Sequence, residues 1–373
     1  MVDLALTLPW QSLSRRIGRA SGAVTADERR TAVVVGVAGT LALAVMSGLV
    51  RKEPTPRGDD LIYEDIARHP FGVHTFPFGF RFGLPLLVHV LPFNHTASFR
   101  LLACIAAGGA AAFAYLLMRE VGGHRKVAAA LAVMMSVSPP FLIVIIRNGR
   151  NTDIATVFFM MAATYFVISG RYRLLAITLL LGVTVREAVL FVIPLAYALW
   201  ATRPMDGRAA TRTLLVGAPA VAAYAAIRTG IHTVGQAQVP GYGGSIIGER
   251  FNVIKLGLES AFREARRLFT VYGPLWLVAP LALRENGFAR RGLVLVGLSV
   301  LAMTFALDWG RMIILASPVF YPAAAYVLGR HPRWALPVSA AFVALIICYA
   351  AYMDHSGVRT GIINNPPPPY PVR

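Results

Sequence analysis

Residues 170–203 read GRYRLLAITLLLGVTVREAVLFVIPLAYALWATR, and the way this stretch divides decides the topology of everything after it. It is apolar between its basic ends except for Arg186 and Glu187 near its middle. As one helix it would hold both charges near the centre of a bilayer, at about 2.5–3.5 kcal/mol each. Divided at those charges it becomes two arms of about 16 residues, each about 24 Å long, with Arg186 and Glu187 just below one membrane surface. The division also sets sidedness. It gathers Arg203, Arg208 and Arg212, then Arg284, Arg290 and Arg291, then Arg330 and Arg333 on the side that holds Arg15, Arg16, Arg19, Arg29 and Arg30, the pattern of a cytoplasmic face. A single helix would put the later clusters on the other side, so the stretch is read as two arms.

Composition agrees that lipid is the solvent. Of the 373 residues, 56% are hydrophobic and only 14% are charged, with a mean hydropathy of +0.60, whereas soluble domains carry about 25% charged residues. Apolar runs of about 15–25 residues recur from Thr31 onward and match the ~30 Å hydrocarbon core. They do not alternate as barrel strands do. The expected fold class is all-α: a polytopic transmembrane helical bundle of about eleven spans. A basic segment (1–30) precedes a transmembrane catalytic domain (31–352), and a Pro-rich tail (353–373) follows. The net charge of +18 would suit nucleic acid, but the charges sit in short clusters between apolar runs. Orientation and attraction to anionic lipid explain that placement, so membrane lipids and not nucleic acid are the expected partners.

Spans are expected near 31–50, 98–118, 127–146, 154–169, the two arms of 170–203, 213–228, 268–283, 292–307, 312–329 and 335–352. No cleavable signal peptide is expected in the polar first 30 residues. Leu4, Leu6, Leu8, Trp10, Leu13 and Ile17 make either a short interfacial helix or part of a disordered tail. An outer loop, 229–267, carries an amphipathic run in which Phe251, Ile254, Leu258 and Phe262 recur opposite Lys255, Glu259, Arg263 and Arg266. It is expected to lie along the outer interface. Cys104 and Cys348 fall in apolar runs and are read as core residues without a disulfide.

The first outer loop (51–97) contains GDDLIYEDIARHPFGVHTFPFGFRFGLP, residues 58–85, with Asp59, Asp60, Glu64 and Asp65 within seven positions, followed by His69, His74 and Arg81. If its start is helical, Asp60, Tyr63, Glu64 and Ala67 share one face and Leu61, Asp65 and Arg68 another. His69-Pro70 would end that helix. Topology sets Arg147, Arg150, Asn151 and Asp153, then Arg186 and Glu187, then Asp308 and Arg311 on the same side. Ionisable groups at helix mouths are functional candidates, and acids facing several arginines suit a phosphorylated lipid, since guanidinium forks grip phosphate while a carboxylate handles a proton.

D60-L-I-Y63-E-D-I-A67 resembles the first-loop motif of bacterial C-type (GT-C) membrane glycosyltransferases, and FGFRFGLPLL resembles their Tyr-Arg-x-Leu-x-Pro segment. RNTDIATVFFMMAATYF is similar to their third-to-fourth-span junction, REAVLFVIPLAYAL to a later basic turn, and DWGRMIILASPVF to a further arginine mouth. The resemblance covers about Gly58 to Leu199 and the DWGR region. Asp59-Asp60 stands where many members have Asp-Glu, which leaves the base open between these two aspartates. The resemblance implies an inverting transfer from a polyprenyl-phosphate sugar donor to an envelope glycan, lipid or protein acceptor, on the extracytoplasmic side of the cell membrane. Asp60, Asp59 and Glu64 are the catalytic candidates. Arg147, Arg150, Arg186 and Arg311 are candidates for the donor phosphate, and Tyr63, His74, Arg81 and Asp153 for positioning substrate.

Asp59, Asp60, Glu64, His69 and His74 also offer donors for a divalent cation, but no ligand spacing is diagnostic and arginines can neutralise phosphate, so no cofactor is expected. The alternative function is a transporter or lipid-linked sugar flippase. It would want charges at mid-bilayer and an internal repeat, and the sequence shows neither.

Overall fold

The computed structural model describes residues 25–50, 52, 59–75, 77–234, 261–303 and 309–352. The first-segment leucines with Trp10, the Pro-rich tail, Asp308, and Phe251, Ile254 and Leu258 of the amphipathic run therefore lie outside the described residues, as does the side chain of Phe262.

Helices dominate. They are α1 (Ala26–Leu49), α2 (Asp59–Arg68), α3 (Gly83–Val90), α4 (His95–Glu120), α5 (Arg125–Ser136), α6 (Pro139–Ile146), α7 (Asp153–Ile168), α8 (Tyr172–Val185), α9 (Val192–Trp200), α10 (Gly207–Gly230), α11 (Ala261–Tyr272), α12 (Leu275–Val278), α13 (Gly287–Met303), α14 (Trp309–Ile313), α15 (Ser317–Arg330) and α16 (Pro332–Tyr352). Two two-residue strands, β1 (His74–Thr75) and β2 (Thr233–Val234), pair in parallel and tie the loop after α2 to the segment after α10. Six helical segments among the described residues are long and apolar enough to cross a membrane: Ala26–Leu49, His95–Glu120, Arg125–Ile146, Gly207–Gly230, Trp309–Arg330 and Pro332–Ala351. Asp153–Ile168, Tyr172–Val185, Glu187–Trp200 and Leu275–Arg284 are shorter apolar helices. The result is an all-α bundle.

The stretch 170–203 breaks where the charges stand. Arg186 is extended (φ −164°, ψ 136°), and a 3₁₀ turn over Glu187–Phe191 leads into α9. The arms fold back on each other: Tyr172 at the start of α8 meets Trp200 at the end of α9, ring centroids 5.5 Å apart, and Trp200 Nε1 donates to Val167 O at 3.1 Å. A second break, between α5 and α6, falls inside the crossing segment Arg125–Ile146, which matches the span expected over 127–146. Ser138 is extended (φ −66°, ψ 159°) because Pro139 follows it.

At the centre α4 packs against α1, α5, α7 and α15. Small residues make the α1–α4 approach close: a Cβ on Gly108 would stand 2.6 Å from Gly36 O, and one on Gly39 would stand 3.0 Å from Ala111 Cβ. Outward faces stay apolar, as with Val33, Leu41, Leu214, Leu215 and Leu336, all more than half exposed. Such side chains suit lipid, where no aqueous patch is created. Cys348 belongs to this exposed set and not to the core, while Cys104 is buried; both are free thiols.

Ion pairs show which helix ends meet. Arg119 at the end of α4 holds Glu28 at the start of α1 (2.9 Å), Arg330 holds Glu285, and Arg291 Nη1 donates to Leu199 O (2.8 Å). Asn286 Nδ2 donates to Val121 O (3.3 Å). One end of the bundle is thus arginine-rich, and the acidic helix α2 belongs to the other.

Candidate active site

Helix α2 forms as its spacing predicts. Asp60, Tyr63, Ile66 and Ala67 are buried, Glu64 is half-buried, and Leu61, Asp65 and Arg68 are exposed. Asp59 and Asp60 occupy its first turn, where the helix dipole favours negative charge. His69 N closes the last turn on Asp65 O before Pro70.

The buried face of α2 meets the turn 147–152. Arg147 Nε donates to Asp60 Oδ2 at 2.7 Å, with both side chains less than a tenth exposed. Asn148 (φ 62°) and Gly149 (φ 75°) lie in the left-handed region, and that double reversal separates the directions of Arg147 and Arg150. A Cβ on Gly149 would lie 2.6 Å from Phe99 O. Arg150 therefore serves a neighbouring cluster: its Nε lies 2.7 Å from Glu64 Oε2, and its Nη2 donates to Thr96 Oγ1 at 2.9 Å. Asn151 Oδ1 accepts from Asp153 N (3.0 Å) and from Arg311 Nη2 (3.3 Å).

Arg311, on α14, joins the network from the other direction. Its Nε donates to Asp153 Oδ2 (2.7 Å) and its Nη1 to Asp59. Arg186 donates to the other oxygen of Asp153. Asp153, in the first turn of α7, thus sits between two guanidiniums, and the two halves of the chain meet on it. Burial pushes the Asp59 carboxyl up, but the charge and hydrogen bond of Arg311, with the charge of Arg147 behind them, outweigh that and hold it below the usual range.

A second layer supports the first. Arg81 Nε donates to Glu187 Oε2 (3.0 Å) and its Nη1 to Tyr63 OH (3.4 Å); Tyr63 OH stands 3.3 Å from Thr152 Oγ1. His74 lies apart from the aspartate–arginine network, its Nδ1 3.1 Å from Asp65 Oδ2 and its Nε2 2.8 Å from His69 O. Of the candidates, Asp59, Asp60, Asp153, Arg147, Arg186 and Arg311 thus share one network. Glu64 and Arg150 flank it, Tyr63 and Arg81 brace it, and His74 anchors the loop. Among the described residues no three His, Cys, Asp or Glu side chains converge as metal ligands; Asp59, Asp60 and Glu64 each turn to a different arginine.

Two cavities border the network. One, of about 110 Å³, takes Arg147, Asp153 and Arg311 together with Ile143, Val144, Val271 and Ile314, and adds Arg266 and Arg267 from α11. The other, about 320 Å³, takes Arg81, Arg186 and Glu187 with Phe191, Leu298, Leu301 and Leu315. Arg266 and Arg267 were not among the expected site residues. The sequence places Arg266 at helical spacing from Glu259 and Arg263, and α11 brings it and Arg267 to this cavity.

No protein-family profile and no curated protein matches the sequence. Solved structures do match in fold. The apo crystal structure of the Archaeoglobus fulgidus oligosaccharyltransferase aligns with a TM-score of 0.50 at 14% identity, over 88% of this chain and 56% of that one. The archaeal oligosaccharyltransferase AglB from the same organism, in complex with an inhibitory peptide and a dolichol-phosphate, aligns with a TM-score of 0.51 at 13% identity, over 91% of this chain and 57% of that one. The chain thus spans little more than half the length of these neighbours, and what it shares with these oligosaccharyltransferases is the fold.

Proposed function

We propose that this chain is a GT-C membrane glycosyltransferase that moves a sugar from a polyprenyl-phosphate-linked donor to an envelope glycan, lipid or protein acceptor on the extracytoplasmic face of the cell membrane. The observation that carries the reading is the convergence of three aspartates and three arginines from α2, the 147–153 turn, the Arg186 break and α14, at one end of an apolar bundle and between two apolar-walled cavities. The solved neighbour that holds a peptide and a dolichol-phosphate supports a lipid-linked donor and is compatible with a protein acceptor.

In this mechanism the acceptor hydroxyl attacks the anomeric carbon, and its proton passes to the carboxylate of Asp60 or Asp59. The bond from that carbon to the lipid phosphate breaks with inversion, and the phosphate leaves with the bonding electrons. Arg147, Arg186 and Arg311 stabilise its charge, so the step needs no separate acid and no metal. At rest these arginines already hold the aspartates. A donor phosphate competes for the same guanidinium forks, and the carboxylate it releases becomes the proton acceptor. Arg150 and Glu64 secure α2, and Tyr63, Arg81 and Asp153 set the geometry of the arginines.

The test is transfer from a labelled polyprenyl-phosphate sugar by purified Asp60→Asn and Asp59→Asn proteins, each normalised to folded material. Loss of at least about a hundredfold in one of them is expected for a missing general base. Full activity in both would sink the mechanism.

A further inference from the structure

The end of the bundle opposite the carboxylates holds a depression of about 980 Å³, bounded by the turn between α7 and α8, the end of α9 and the start of α10. Its wall includes Tyr172, Trp200, Arg203, Asp206, Arg208 and Arg212, none of which the transfer chemistry uses. The aromatic floor is fixed by the Tyr172–Trp200 edge contact and the Trp200 hydrogen bond to Val167. Over it lies Arg212, its guanidinium carbon 5.1 Å from the Tyr172 centroid and 5.6 Å from that of Trp200, positions that hold a cation by its attraction to the rings.

Arg203, Arg208 and Arg212 are exposed, and among the described residues none of them is ion-paired to a carboxylate. The one acid of the wall is committed elsewhere. Asp206 Oδ1 accepts from the backbone N–H groups of Arg208 and Ala209, at 3.1 Å each, and its Oδ2 accepts from Thr202 N (2.9 Å) and Thr202 Oγ1 (2.8 Å). Those bonds cap α10 and fix the loop that presents the arginines.

The surroundings say what lies beside this depression. Ile177 and Leu181 on α8 are each 53% exposed, and Leu214 and Leu215 on α10 are 67% and 72% exposed, so the flank is built for acyl chains. Met205, in the chain between the wall residues Arg203 and Asp206, is 90% exposed. Apolar flank gives way to unpaired arginines and an aromatic pair over a few residues, which is the chemical profile of a bilayer crossing from acyl chain to headgroup.

We infer that this depression binds the headgroup of an anionic phospholipid in the leaflet at the arginine-rich end, with the phosphate on Arg203, Arg208 and Arg212 and the acyl chains along α8 and α10. A free phosphate ester would use the arginines but leave the lipid-facing flank and Met205 without a role. The inference is independent of the transferase reading and needs only that the chain spans a membrane.

The test uses the full chain in neutral detergent, titrated with phosphatidylglycerol or with phosphatidylcholine of the same chain length, with retained lipids counted by native mass spectrometry. The wild type is expected to keep one phosphatidylglycerol in preference to phosphatidylcholine. Arg203→Gln with Arg208→Gln, both at exposed side chains, weakens that retention about thirtyfold, while the lysine pair Arg203→Lys with Arg208→Lys keeps most of it. Arg284→Gln with Arg333→Gln, at the same end but outside the depression, leaves it unchanged. Equal retention of the two lipids, an equal loss in the Arg284/Arg333 protein, or displacement of the lipid by millimolar inorganic phosphate would each overturn the assignment.

Discussion

Asp59 shows how the site is poised. Its carboxyl is held below the ordinary range because Arg311 and Arg147 outweigh its burial and the like charge of Asp153. A depressed folded-state pKa contributes stability that is fully present above the unfolded value, about 3.9, and is lost as pH falls through the folded value. The melting midpoint in detergent should therefore drop as pH goes from about 5 to 3, and Asp59→Asn should lower the midpoint at neutral pH while flattening that dependence. Asp60 is a different case: the pair with Arg147 is buried on both sides, and breaking such a pair removes about 3–5 kcal/mol. The shared face of Asp60, Tyr63 and Ala67 was legible, because a helix repeats every three to four residues. That Arg147 and not Arg150 meets Asp60 was not legible. The choice depends on the left-handed conformations of Asn148 and Gly149, and periodicity carries no information about a turn's hand.

Among the elements, α1 and α4 depend on their small residues. Gly108→Leu should lower the thermal midpoint, equivalent to about 1–3 kcal/mol of overpacking, because Gly36 O is backbone and cannot step aside. Substitution at Gly48, which meets nothing within 4 Å, should be silent in the same assay. The hairpin of α8 and α9 could be read from the energetic penalty of Arg186 and Glu187 at mid-bilayer. The break between α5 and α6 had a signal too, the Ser138-Pro139-Pro140 run, which an unbroken hydropathy profile overrides. The presence of Arg266 and Arg267 at the site's cavity had none. Amphipathicity states that one face is polar, and both an interface and an arginine-lined cavity satisfy that condition.

At the scale of the whole molecule, the arginine clusters around Arg203, Arg291 and Arg330 lie at one end, and the site gathers at the other, while Arg15, Arg16 and Arg19 lie outside the described residues. In a protein with Cys104 and Cys348 replaced by alanine, Asp59→Cys and Arg208→Cys should react with a membrane-impermeant maleimide from opposite sides of oriented vesicles. Labelling of both from the same side would refute the topology. The two arms that meet at Arg186 carry one last consequence. With 14 residues in α8, that arm is only about 21 Å long, some 9 Å short of the ~30 Å hydrocarbon slab. Such hydrophobic mismatch is relieved by local compression of the bilayer, at fractions of a kcal/mol per Å. Transfer rates in proteoliposomes should accordingly be higher in lipids of 14-carbon acyl chains than of 20-carbon chains, about severalfold. On the proposed transfer, membrane thickness becomes a variable that tunes how easily the lipid-linked donor reaches Arg186.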